Sequence, residues 1–492
     1  MSSSFSVDPG VLLVGVLLLV GVIASGFTSR FRIPSLLLFL GLGMAVADDG
    51  LAWIRFDDAV LAQNIAIAAL AVILFDGGLG TDPRSFRAVG AQAGLLATAG
   101  VTITAGVVAL AAWDLMGLDA TTALLLGAVV SSTDAAAVFA ALRTEPLPAR
   151  TSRLLELESG LNDPAAVLLT VGMVEVWRAD PTGWDWAGYL GVQVAVGLSV
   201  GLGVGWLGRW VVDHVRGGAA ASLGVVTLAI AAISYGGAAV LGGSGLLAVY
   251  LTGVVLTGSQ RASRSVLYFH EGLAATAQSV LFLLLGILVF PSELFGDLGL
   301  ALVVVAALTL VARPLAVATV MLWWRTPLRH MAVISWAGLR GAVPVVLATI
   351  PFTAGHPDGA VIFDVAFVVV VVSVAVQAPT IGALARRLGV TADDSVFVRR
   401  EIVAVDALDA DLVEITVPSS TRLRPTTLRD DPPPGGARVA VIHRSDDSTV
   451  IPNGATTLEP GDVLLVVTPR TCDLGELEAW SRSFLAIDPG ST

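Results

Sequence analysis

Six ionisable side chains, Asp76, Asp134, Glu158, Asp163, Arg313 and Arg340, lie inside stretches that are otherwise apolar. A charge at the centre of a bilayer costs about 2.5–3.5 kcal/mol or more, so each such group needs a partner or a task. The richest setting is Glu158-Ser159-Gly160-Leu161-Asn162-Asp163-Pro164, which places a carboxylate beside an amide and directly before a proline. A buried carboxylate among oxygen ligands can hold a proton or a small hard cation, but not both. That competition is the chemistry of exchange, with Asp163 as the shared group. The alternative reading of Asp163 is a structural carboxylate that caps a helix broken ahead of Pro164.

Two further segments bear on this chemistry. Ser131-Ser132-Thr133-Asp134 is unusual in mid-span, because these side chains compete with helical hydrogen bonds and favour caps. Unwound backbone at membrane depth is tolerated where it lines a cavity or is buried in protein, so Thr133 and Asp134 are candidates to line the site. Ordinary back-bonding of the hydroxyls to the helix is the plainer possibility, and Asp134 could be an N-cap of a half-helix. Gly338-Leu339-Arg340-Gly341-Ala342-Val343-Pro344 reads as a second break. Glu158 and Arg340 are natural partners, since each would be costly alone in lipid, and this pair is expected to be structural. Arg313, before Pro314, could neutralise a carboxylate and tune its titration.

The elements that must position these residues follow from composition. Of the 492 residues, 55% are hydrophobic and only 14% are charged, too few to cover a soluble domain of this length. The apolar residues form blocks long enough to cross a ~30 Å hydrocarbon core at ~1.5 Å per residue. The expected fold is an all-α polytopic membrane protein. About 13 transmembrane helices are expected, at 11–27, 34–47, 59–78, 88–112, 120–142, 154–176, 187–211, 221–240, 245–258, 271–290, 298–324, 330–350 and 361–385. Arginine placement supports this division: Arg30, Arg32, Arg84, Arg87, Arg143, Arg150 and Arg153, and their later counterparts, fall in every second loop. The positive-inside rule then puts the N-terminus outside and the C-terminal tail in the cytoplasm of a bacterial inner membrane. On that frame Asp163 lies roughly 15 Å in from Arg153, and Asp134 roughly 14 Å in from Arg143, both near the midplane. Two interrupted helices, one in each half of the chain, are the pattern of an inverted-repeat transporter with its site between them.

The same features exclude other classes. A net charge of −12 argues against nucleic acid as a partner. The five histidines are scattered, so neither a metal-bearing hydrolase site nor any cofactor is expected. An ion channel would need a repeated pore loop, which the sequence does not contain. No basic segment precedes the first apolar run, so a cleaved signal peptide is not expected.

After Arg400 the long apolar blocks stop, and strand-like stretches at 412–417, 437–443 and 462–467 alternate with turn residues such as Pro452-Asn453-Gly454. A short helix may be drawn at 474–484. The reading is residues 1–390 as the membrane domain, 391–410 as a linker, and 411–488 as a small α+β cytoplasmic domain. The single Cys472 suits a reducing compartment. About 80 residues make a small core, so pairing with a second copy is plausible.

The three membrane segments, in this order, resemble the NhaP-type monovalent cation/proton antiporters over residues 11–388. The tail segment from Ile451 to Val466 resembles the TrkA-C (RCK-C) module, which points to the potassium/proton branch. The resemblance implies that Asp163 binds both ion and proton, that Asn162 replaces an aspartate of electrogenic relatives, and that Thr133, Asp134 and Ser159 line the site. It also implies that Glu158 pairs with Arg340, that Asp76 lies beside the cytoplasmic funnel, and that two copies form a homodimer. K+, or alternatively Na+, would exchange for H+ one for one. The tail would be a regulatory module for a nucleotide such as cyclic di-AMP, or a plain dimerisation module.

Overall fold

In a computed structural model, the residues described are 8–28, 35–47, 49–53, 58–81, 83–134, 138, 142, 147–214, 220–259, 264–391, 397–399, 410–417, 427–446, 448–469 and 474–483. The chain divides into two compact units, Met1–Thr391 and Ala392–Thr492.

Twelve of the thirteen expected spans overlap helix over most of their described length, and the expected span 120–142 is helical over Ala120–Val129. Seven helices among the described residues are long and apolar enough to cross a membrane, and shorter apolar helices such as Ala120–Val129, Gly245–Leu256 and Val343–Thr353 lie between them. Local chemistry sets their ends. Asp58 and Asp119 accept from the backbone N–H groups of Leu61 and Thr122, each at 2.9 Å, and so cap the helices Ala59–Gly80 and Ala120–Val129. Gly242, at φ +79°, turns the chain between Ala220–Val240 and Gly245–Leu256, the least certain division in the sequence.

Of the three helices that contain a π-helical turn among the described residues, two do so ahead of a proline. Pro291–Ala306 passes through a π-helical turn, Ala307–Ala312, before Arg313–Met321. Gly359–Val372 does the same through Ser373–Gln377 before Ala378–Arg387. In each case a proline, Pro314 or Pro379, follows the turn within two residues and cannot donate to the carbonyl four residues back. The preceding residue reaches one residue further: the N–H of Arg313 donates to Leu308, and that of Ala378 to Ser373.

Helix contacts depend on small residues. Helices Ala59–Gly80 and Gly245–Leu256 touch backbone to backbone at Gly78 and Gly253, and a Cβ added at Gly253 would sit 2.5 Å from the Phe75 carbonyl oxygen. Gly43 and Gly286 make the equivalent contact between Ser35–Val46 and Arg264–Leu288.

The second unit is a five-stranded sheet with β1 (Phe397–Arg399), β2 (Ala410–Thr416), β3 (Arg438–His443), β4 (Thr449–Val450) and β5 (Val463–Pro469) in the order β1-β2-β5-β3-β4. All neighbouring strands are antiparallel. Leu464 and Val466 of β5 point with Val413, Ile415 and Ile442 into one core, which the helix Leu474–Ser483 closes with Leu477 and Trp480. The alternation along β5 is the period-two pattern of a sheet covered on one side.

The close approach at Gly253 gives a direct test. Gly253→Val should lower stability by about 1–3 kcal/mol through overpacking against backbone that cannot move aside. The readout is an earlier melting transition of the purified protein in detergent. An unchanged transition would mean that these helices do not touch at this point.

Candidate cation site

The two expected breaks cross. The helix Ala120–Val129 ends in a turn, and Ser132–Asp134 continue without regular secondary structure. Opposite, Leu328–Trp336 gives way to irregular backbone through Ala342 before Val343–Thr353 resumes. The N–H of Asp134 donates to the Leu339 carbonyl at 2.8 Å, which ties one break to the other. The carboxylate of Asp134 lies against Gly341, where a Cβ would collide with it, so glycine is required there by close approach. Residues 135–137 and 139–141 of the expected span 120–142 lie outside the described residues.

Arg340 fastens the crossing. Its guanidinium Nη1 donates to the carbonyl oxygens of Ser131, at 2.5 Å, and Ser132. Its backbone N–H donates to Ser373 Oγ at 2.9 Å, and Ser373 donates in turn to Gln377 Oε1 at 2.7 Å. Carbonyls left over where a helix ends in lipid must find a donor, and a buried cation is a strong one.

The expected Glu158–Arg340 pair is therefore corrected. Glu158 is held by Arg313 in a bidentate fork, Nη1–Oε1 at 2.5 Å and Nη2–Oε2 at 2.9 Å, with both side chains almost wholly buried. Spacing in the sequence does not distinguish the two arginines. The deciding factor is that Arg340 is already spent on broken-helix carbonyls, whereas Arg313 emerges from an intact helical turn with its fork free.

The helix Ala149–Ala179 carries Glu158, Ser159, Asn162 and Asp163 and runs unbroken through Pro164, so Asp163 does not cap a broken end. Three of these four face the first break. Ser159 Oγ donates to the Thr133 carbonyl at 2.8 Å. Asn162 grips Thr133 from both sides of its amide: Oδ1 accepts from the Thr133 N–H at 3.4 Å, and Nδ2 donates to Thr133 Oγ1. Asp163, 7% exposed, accepts from Ser132 Oγ at 2.5 Å and has no ion-pair partner among the described residues. A buried carboxylate with hydroxyl and carbonyl oxygens around it, and no cation of its own, is equipped to take a proton or a desolvated monovalent cation.

The sequence-derived residues thus divide into groups. Asp163, Asn162, Ser159 and Thr133 come together in one hydrogen-bonded set, and Asp134 lies at the same crossing. Asp76 is half-buried near the end of Ala59–Gly80, with no hydrogen bond or ion pair joining it to the crossing. Ser132 was visible only as part of a polar run, and its direct bond to Asp163 was not anticipated. Ser373 and Gln377 were missed, although two polar residues four apart in an otherwise apolar span were a usable signal.

A family model for the transmembrane sodium/hydrogen exchanger matches residues 15–387. This chain belongs to the sodium/hydrogen exchanger family. A TrkA-C domain model matches residues 412–471 in the second unit. The chain is 42% identical over 385 residues to the K(+)/H(+) antiporter NhaP of Alkalimonas amylolytica, a match covering 77% of this chain and 66% of that one, just under two thirds of its length. It is 36% identical over 484 residues to the K(+)/H(+) antiporter NhaP2 of Shewanella baltica (strain OS223), covering 96% of this chain and 82% of that one. The fold is similar to that of the sodium proton antiporter MjNhaP1 from Methanocaldococcus jannaschii, with a TM-score of 0.67 over 77% of this chain and 98% of that one at 20% identity.

The corrected ion pair separates two arginines that the sequence left equivalent. Glu158→Gln strands the Arg313 charge in the membrane and should lower stability by about 3–5 kcal/mol. The double variant Glu158→Leu, Arg313→Met should lose much less. The same carboxyl change combined with Arg340→Met should show no such recovery. Melting in detergent compares the three, and recovery with Arg340 instead of Arg313 would restore the original pairing.

Proposed function

We propose that this chain is a secondary active antiporter that exchanges a monovalent cation, K+ in preference to Na+, for H+ across the cell membrane. The observation that carries this reading is Asp163: buried, bonded to a hydroxyl of a broken helix, and without a salt-bridge partner among the described residues. Such a group must be neutralised from solution, by a proton or by a cation, before it can cross the membrane interior. Both ions compete for one carboxylate, so exchange needs no second coupling device. The preference for K+ rests on the relatives named K(+)/H(+) antiporters. Hard oxygen ligands serve either ion.

On this reading Ser132, Thr133, Ser159 and Asp134 supply oxygens around the cation, and Asn162 holds Thr133 in place while adding no charge. One titrating carboxylate then moves one charge in each direction, and exchange is electroneutral. Glu158 and Arg313 form a closed structural pair beside the site. Asp76 lines the cytoplasmic approach. The arginine distribution supports an N-terminus outside and a cytoplasmic C-terminal unit. Two copies of the chain form the working dimer. The TrkA-C unit regulates transport by binding a small ligand of the cyclic di-AMP type.

Four measurements test these statements. In proteoliposomes loaded with a pH-sensitive dye, Asp163→Asn should abolish K+-driven proton movement while the protein still folds. Retained exchange would remove Asp163 from the centre of the mechanism. In the unaltered protein, competition requires the half-saturating K+ concentration to rise as pH falls, by about tenfold per unit once protonation dominates. The rate should not respond to an imposed membrane potential, and a potential-driven rate would exclude one-for-one exchange. Finally, removal of residues 401–492 should shift the pH profile of exchange. An identical profile would make the second unit a dimerisation or stability module only.

A further inference from the structure

Beside the crossing lies a small cavity that the exchange site does not use. Thr309, Arg313, Gly338, Arg340, Ser373 and Gln377 line it, and it offers about 10 Å³ for the centre of a water-sized sphere. Two π-helical turns border it: Thr309 lies in Ala307–Ala312, and Ser373 and Gln377 begin and end Ser373–Gln377. Its walls include two buried guanidinium groups, Arg313 at 4% and Arg340 at 2% exposure. The Nε–H of each is buried and has no hydrogen-bond partner among the described residues. Leaving a buried donor unmet costs about 1–3 kcal/mol, and more when it belongs to a charged group. Two such donors around one cavity point to a shared acceptor.

We propose that this cavity binds one water molecule, which accepts from Arg313 Nε and Arg340 Nε and donates to Gln377 Oε1 and Thr309 Oγ1. The space equals about one water, and the four residues that would partner it all line the cavity. A halide is larger and could not donate to Gln377 and Thr309. It would also add a negative charge where Glu158 and the Ser131 and Ser132 carbonyls already face the guanidinium forks.

The water has a consequence for the site. Arg340 holds the Ser131 and Ser132 carbonyls, and Ser132 donates to Asp163. Fixing Arg340 at Nε fixes the tilt of its fork, and with it the oxygen that meets Asp163. Through the same water Arg340 is joined to the Arg313–Glu158 pair on the helix that carries Asp163. Thr309 and Gln377 are then positioning residues, acting on the cation through Arg340.

The transport part of this inference rests on Asp163 as the cation ligand, and the water itself does not. A map of the full chain in lipid nanodiscs at about 2 Å should show a single round peak within hydrogen-bonding distance of both Nε atoms. An empty cavity would overturn the site, as would an anomalous peak in crystals grown with bromide. In proteoliposomes, Thr309→Val should raise the half-saturating K+ concentration about five- to tenfold, the loss of one hydrogen bond to a charged network. The maximal rate and the melting temperature should stay close to those of the parent, and Thr309→Ser should match the parent in all three. Equal K+ dependence in the Val and Ser variants would end the positioning role. Exchange that survives Asp163→Asn while the peak is present would overturn the Asp163 reading and leave the water site standing.

Discussion

A helix that stops in the middle of a membrane leaves carbonyls and amides with no water to meet them, and the whole arrangement here depends on how that demand is satisfied. Arg340 meets it. Its fork takes the Ser131 and Ser132 carbonyls, its backbone N–H takes Ser373, and the Leu339 carbonyl next to it takes the Asp134 N–H. Each break thus completes the hydrogen bonding of the other. The cationic side chain is tolerated at this depth because it is committed to fixed dipoles.

That commitment decides the rest of the electrostatics. Since Arg340 is occupied, Glu158 must find another cation, and Arg313 reaches it with a two-point fork. The Arg313 backbone is placed by the π turn that Pro314 imposes, so a proline well away from any carboxylate helps to determine which arginine neutralises which acid. Asp163 then remains as a buried carboxylate with a hydroxyl donor and no cation among the described residues. A site that binds and releases an ion cannot be closed by a permanent salt bridge of its own; Glu158 engages Arg313, and the Ser131 and Ser132 carbonyls engage Arg340, so neither arginine forms one with Asp163.

Much of this was legible in the sequence. The helical membrane architecture and the order of its helices followed from hydropathy, because long apolar runs record the solvent around a segment. The strands of the second unit followed from period-two patterns, and β2, β3 and β5 fall within two residues of the expected stretches. Both breaks announced themselves by polar or glycine-rich runs in apolar surroundings. The partner of Glu158 was not legible, because pairing across 155 positions depends on helix rotation, which a one-dimensional pattern does not encode. The role of Ser373 and Gln377 was hidden for the same reason: a π turn rotates the side chains beyond it, and nothing in a hydropathy profile reports that rotation.

Asn162 shows how packing and charge are settled by one side chain. Its oxygen accepts from the Thr133 N–H while its nitrogen donates to the Thr133 hydroxyl, so an amide clamps both groups of one residue. An aspartate at this position could accept twice, with the hydroxyl turned to donate, so the clamp alone does not require an amide. What an aspartate would add is a second carboxylate one residue from Asp163 on the same buried helix. Two such groups repel, and neither could ionise independently of the other. With asparagine the clamp is kept and the helix carries a single carboxylate at the crossing. The residue that fixes the shape of the site is therefore also the one that keeps a second carboxylate from standing next to Asp163 on its own helix.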